Sequence, residues 1–74
     1  MPSKKRPASS VRILFGRRLR EERHAREITL EELAERSDMN WSYIAQVERG
    51  VRNVSIDNMA ALADGLGLPL RDLL

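Results

Sequence analysis

The chain contains no cysteine, which excludes a disulfide framework and a zinc site built on thiolates. No apolar run is long enough to span a membrane, and the first residues, MPSKKRPAS, lack the apolar centre of a secretion signal. A soluble cytoplasmic protein is the expectation. There is no Gly-rich phosphate cradle, no Ser/His/Asp or Cys/His set, and no carboxylate pair placed in a cleft, so an enzyme has little to be built from. The one histidine, His24, has no Cys, His or acidic ligand set around it. Neither a metal, another cofactor nor a small-molecule substrate is expected. No segment alternates with period two over a useful length, which argues against a sheet.

What the chain does have is a thin apolar supply and an uneven charge. Its 74 residues, 42% of them hydrophobic, suffice for one small domain. Dimerisation would help such a domain. Residues 1–28 carry a net charge of +6 and residues 29–74 a net charge of −4. Either one face meets phosphate, or these are ordinary solvated helix faces; charge alone leaves both readings open. Residues 1–9 hold two prolines and the triplet Lys4, Lys5 and Arg6. They read as a flexible basic N-terminal arm ahead of a folded domain at 10–74. The arm either reaches along a partner or serves as a solubility tail.

The folded part reads as all-α. Ser9 or Ser10 caps a first helix with a stripe of Val11, Phe15 and Leu19, flanked by Leu14, ending near Ala25 to Glu27. Thr29 and Glu32 form a capping box for a second helix that runs to about Arg36. Ser37, Asp38 and Met39 make a turn, and Asn40 caps a third helix that stops at Gly50. After a loop, Ser55 caps a fourth helix with Ile56, Met59, Ala60, Ala63 and Leu66 in its stripe. Gly67 ends it, Pro69 prevents continuation, and Leu70 to Leu74 form a last short helical turn.

The stretch Leu30 to Gly50, LEELAERSDMNWSYIAQVERG, carries the most information. Leu33 and Ala34 face inward on its first helix, Met39 follows the turn, and Ile44 and Val47 are the inner stripe of its second. The small Ala34 lets the two helices cross closely. Outward on the second helix stand Ser42, Ala45, Gln46 and Arg49, one continuous face without an acid. Such a face suits the floor of a DNA major groove.

These motifs resemble the Cro and phage-repressor type of helix-turn-helix domain, the XRE family. The resemblance covers about Phe15 to Leu74, through FGxRLRxxR, LEELA, YIxxVERG and LGLPLRDLL. Within that family YIAQVERGVRNVSI, with the pair Arg52–Asn53 after the helix, looks most like the controller proteins of restriction–modification systems. The resemblance implies a compact five-helix lambda-repressor-like domain. It implies a sequence-specific transcriptional regulator that binds double-stranded DNA as a homodimer on a (pseudo)palindromic operator. Two recognition helices would then enter successive major grooves about 34 Å apart. A phage-type repressor, an antitoxin, or a protein-interaction module that kept the fold are the alternatives. Three positions depart from the family pattern: Leu30, where a phosphate-reaching Gln is usual, and Glu27 and Asp38, where Gly is usual.

On this reading the DNA-binding residues are Thr29, Asn40, Trp41, Ser42, Tyr43, Ala45, Gln46, Arg49, Arg52 and Asn53. Gln46 can pair with the N6 and N7 edge of adenine, and Ser42 can meet a base or a phosphate. Asn40 caps the helix and its amide can touch a phosphate. Ala45 permits close approach or contact with a thymine methyl. Trp41 either stacks on a sugar or thymine methyl or lies half-packed on the protein surface. Tyr43 packs inward with its hydroxyl near a phosphate. Arg49 and Arg52 meet phosphates, and the controller resemblance implies that Arg52 instead reads guanine. The family likeness also implies a structural ion pair between Arg23 and Glu48. Leu66, Leu68, Leu70, Leu73 and Leu74 are many apolar groups for a short end; they either form a two-fold dimer interface or simply close the core.

Overall fold

The computed structural model describes residues 10–74. Helix α1 spans Ser10–Ala25, α2 Leu30–Ser37, α3 Trp41–Glu48 and α4 Ile56–Gly65, and a 3-10 turn spans Leu70–Leu73. The described residues are thus four α-helices plus one 3-10 turn, rather than the five helices expected. After Pro69, Leu70–Leu73 wind into the tighter 3-10 form. The expected basic arm, with Lys4, Lys5 and Arg6, lies outside the described residues.

Each short helix is held at its ends. Thr29 Oγ1 accepts from the backbone of Glu32 at 3.0 Å, and Glu32 Oε1 accepts from the Thr29 backbone at 2.9 Å. This reciprocal box satisfies two orphan donors of α2. It also holds the Glu32 carboxyl below its usual range, chiefly through the Thr29 backbone N–H. Asn40 Oδ1 accepts from the backbone of Ser42 at 2.8 Å and starts α3. Ser55 Oγ accepts from the backbone of Asn58 at 3.0 Å and starts α4. Between α2 and α3, Asp38 adopts a left-handed conformation with φ 57°, and Met39 N–H donates to the Ala34 carbonyl at 2.9 Å. Glu27, in the link before α2, is likewise left-handed with φ 55°. Both positions carry strain that glycine would avoid.

The core gathers Phe15 and Leu19 of α1, Ile28, Leu33 and Ala34 of α2 and its approach, Ile44 and Val47 of α3, Leu62, Ala63 and Leu66 around α4, and Leu73 of the 3-10 turn. Helix α3 packs on α1 and α2, α4 packs on α2, and the 3-10 turn lies against α4 and α1. Gly16 sets the α1–α3 approach. A Cβ there would lie 2.2 Å from the Val47 carbonyl oxygen and 2.8 Å from that of Glu48. The backbones touch at this point, and only glycine leaves the room.

Three sequence expectations change. Val11 is 60% exposed and stands off the α1 stripe. The buried stripe of α4 is Leu62, Ala63 and Leu66, with Met59 partly covered, while Ile56 is 71% exposed and Ala60 faces solvent. The helix is rotated so that Leu62 meets the core, and Gly65 in its second half lies against Leu33 and Arg36 of α2. Leu66 and Leu73, expected as dimer-interface residues, are consumed by the protomer's own core. The need to bury them is met within one chain. Leu68 and Leu70 are half-buried against the core, and Leu74 is 55% exposed.

Candidate nucleic-acid interface

The capped turn at Asn40 aims α3 across α2, so that one side of α3 is buried and the other points out. Ile44 and Val47 lie on the buried side, beside the crossing at Ala34. Ser42 and Arg49 are exposed, and Ala45 and Gln46 are half-covered but reach the surface. Trp41, the first residue of the helix, is 51% exposed. Thr29 stands exposed at the start of α2.

The acid of α3, Glu48, turns inward. Arg23 Nε donates to Glu48 Oε2 at 2.7 Å and Arg23 Nη2 to Glu48 Oε1 at 3.0 Å, a bidentate pair. Arg23 is buried and also donates from Nη1 to the Ile28 carbonyl at 2.8 Å. The pair therefore ties α1, the approach to α2 and the end of α3 together. It also removes the carboxylate of α3 from the exposed side, which is left free of negative charge.

Hydrogen bonds arrange several of the other residues. Asn40 Oδ1 accepts from the Ser42 hydroxyl at 2.6 Å as well as from its backbone, so the Asn40 cap and Ser42 form one unit. The Tyr43 ring is half-buried, and its hydroxyl accepts from Asn58 Nδ2 of α4 at 3.1 Å. Its packing is inward as expected, but the hydroxyl is engaged by α4. After α3, Gly50 takes φ 74° and lies against Ile13 of α1. That left-handed step folds the chain back, and Arg52 returns over the Tyr43 ring, 5.2 Å from its centre. Arg52 Nη1 donates to Gln46 Oε1 at 2.7 Å. Asn53 Oδ1 accepts from Arg12 Nη1 at 2.6 Å, which fastens the loop to α1.

Helix α1 spends much of its positive charge internally. Arg18 pairs with Glu21 at 2.9 Å and with Glu22 at 2.8 Å, and Arg26 also pairs with Glu22. The Glu22 carboxyl is held below its usual range, first by Arg26 and then by Arg18. Arg17 and Arg20 remain exposed on this helix. Leu30, at the position where a phosphate-reaching Gln is usual, is partly buried against the core and serves packing.

Spacing alone gives neither the close approach at Gly16 nor the Arg12–Asn53, Tyr43–Asn58 and Arg52–Gln46 bonds. The glycine is visible as an interruption of an otherwise strong helix-forming run, whereas the three hydrogen bonds depend on how the elements and the loop pack.

This arrangement matches known proteins. The family model described as a helix-turn-helix domain matches residues 14–74. The chain is 39% identical to the control protein C.BamHI of Bacillus amyloliquefaciens over 67 residues, 89% of this chain and 83% of that protein. The chain belongs to the helix-turn-helix family, among its control proteins. A second control protein, C.MunI of a Mycoplasma species, is 32% identical over 88% of this chain and 89% of its own length. The crystal structure of the restriction-modification controller protein C.AhdI from Aeromonas hydrophila superposes with a TM-score of 0.85 at 42% identity, covering 89% of this chain and all of that one. Within this helix-turn-helix domain, α2 and α3 are the two helices joined by the turn at Asp38. Among the described residues, no helix is long and apolar enough to cross a membrane, and no three His, Cys, Asp or Glu side chains group to hold a metal.

Proposed function

We propose that this protein is a sequence-specific DNA-binding transcriptional regulator of the restriction–modification controller kind, acting in the cytoplasm as a homodimer and without catalytic activity. The observation that carries the reading is the outer side of α3 with its following loop. It presents Ser42, Ala45, Gln46, Arg49 and Arg52, while Glu48 is folded away onto Arg23. A rigid, capped helix with small and donor-rich side chains outward and no carboxylate can enter a major groove that an acidic helix could not.

In this reading Gln46, Ser42 and Ala45 face base edges, and Trp41 lies against a sugar or thymine methyl. Arg49, Thr29 and the Asn40 amide meet phosphates, which position the helix without reading sequence. Asn53 sets the loop. Ile56, Leu68, Leu70 and Leu74 are among the apolar groups left at the surface or half-covered after the core is closed, and in this reading they supply the two-fold contact.

Selecting bound duplexes from a randomised pool tests this directly. The expected result is a consensus of two inverted half-sites separated by about one helical turn. Recovery of unrelated sequences, together with capture of a protein partner, would make the chain a protein-interaction module instead.

A further inference from the structure

Trp41 opens α3 and is 51% exposed. It belongs neither to the core nor to the hydrophobics packed against the core. The fold closes without it, although tryptophan has more apolar surface to bury than any other side chain. Ala45 stands four residues on, and residues at that spacing share a helix face. It is half-covered and reaches the surface. The indole and the Ala45 methyl thus form an apolar row one turn long. Ser42 and Gln46, at the same spacing, form a polar row beside it. The rotation per residue puts Ala45 between Trp41 and that polar row. The apolar row therefore leads toward the middle of the outer face, not away from it.

We infer that this row reads the C5-methyl group of thymine, with Trp41 as the specificity-determining residue. The inference rests on the DNA-binding function proposed above and deepens it, by assigning the indole to a base methyl over a sugar. In the major groove thymine presents its methyl beside one acceptor, O4. That methyl is the only apolar group among the four base edges there. The row offers apolar surface and a single donor, the indole N–H. Thymine satisfies both: the methyl takes the apolar surface, and O4 is an acceptor. The other bases leave something unpaired. Guanine has two acceptors for one donor, while adenine and cytosine each bring an amino group for which the row has no acceptor. Stripping water from such a group without replacing its hydrogen bond is unfavourable. The preference for thymine is therefore partly an attraction and partly a penalty on its competitors. A sugar would account for the indole, but not for an apolar residue placed inward of it on the way to Gln46.

The test uses the full chain and the duplex it selects from a randomised pool. Each thymine of the half-site is replaced in turn by deoxyuridine, which keeps O4 and loses only the methyl. The wild type and Trp41→Ala are titrated against every duplex. Because the core does not use Trp41, the variant keeps the fold, and the wild-type series can refute the inference without it. The expected result is a thymine whose conversion to uracil weakens wild-type binding by about fourfold per half-site, the value of burying one methyl group. In Trp41→Ala the same conversion should change affinity by less than about twofold, since the two losses belong to one contact. No thymine whose methyl matters to the wild type overturns the inference. So does a uracil effect of equal size in Trp41→Ala, which would put the indole against the sugar–phosphate backbone. Both outcomes leave the DNA-binding function standing. Failure of the wild type to enrich any sequence overturns the DNA-binding function itself, and this inference with it.

Discussion

Replacing Gly16 by alanine sets two opposing effects against each other at one site. In an isolated helix the change should stabilise by about 1 kcal/mol, since glycine is the poorer helix former. Here the new Cβ would sit 2.2 Å from the Val47 carbonyl oxygen and 2.8 Å from that of Glu48. Both neighbours are backbone, so no side-chain rotation can relieve them. The α3 end must retreat from α1 by about an ångström to restore ordinary contact. Overpacking by one carbon commonly costs about 1–3 kcal/mol, and a backbone obstacle puts this case at the upper end. The retreat also loosens Phe15 and Val47 and stretches the Arg23–Glu48 pair. The net loss is about 2 kcal/mol, or a fall in Tm of roughly 8–16 °C for a domain of this size. Gly65→Ala is the control. Its Cβ would lie 2.9 Å from Leu33 Cδ1, the far end of a flexible side chain, so its effect should stay within about 1 kcal/mol. Urea denaturation of both variants provides the measurement. A Gly16→Ala protein as stable as the wild type, or more so, would refute the claim that backbone contact between α1 and α3 sets the position of α3.

The remaining predictions concern the pair, the strain and the acid response. Glu48→Ala leaves Arg23 buried with the Ile28 carbonyl and His24 Nε2 but no counter-charge and should cost about 3 kcal/mol by thermal melting; an unchanged Tm would make the pair incidental. Glu27→Gly relieves a left-handed glutamate and should stabilise by about 0.5–1 kcal/mol after the added flexibility of the unfolded chain is counted; a loss of stability would show that its backbone is not strained. Glu32 and Glu22 bind protons less readily folded than unfolded. Their contribution is therefore present above the ordinary glutamate value of about 4.3 and is lost as pH falls through their lower folded values. In Glu32→Gln the decline of stability below that pH should be shallower than in the wild type, as followed by circular dichroism.

The motif helices were legible because their ends are written in side chains: Thr29 with Glu32, and Asn40, are cap residues whose bonds are made as expected. The inward residues Leu33, Ala34, Ile44 and Val47 follow from spacing alone. Helix α4 was harder. IDNMAALADG is small and apolar on several sides, so two rotations satisfy a helical stripe, and only the position of α2 decides for Leu62 over Ile56. The terminal leucines could equally close the core or face a second copy; Leu66 and Leu73 close it. The Arg52–Gln46 contact depends on the left-handed Gly50 turning the chain back over α3, and spacing carries no sign of that path.

If the exposed side of α3 reads base sequence, binding must discriminate between duplexes. The most direct measurement is the affinity of the wild type for its selected duplex and for a scrambled duplex of equal length, each at near-physiological salt. The expected result is a preference of about 10³-fold or more for the selected duplex, with a steep fall in affinity for both as salt rises. Equal affinity for the two duplexes would contradict it.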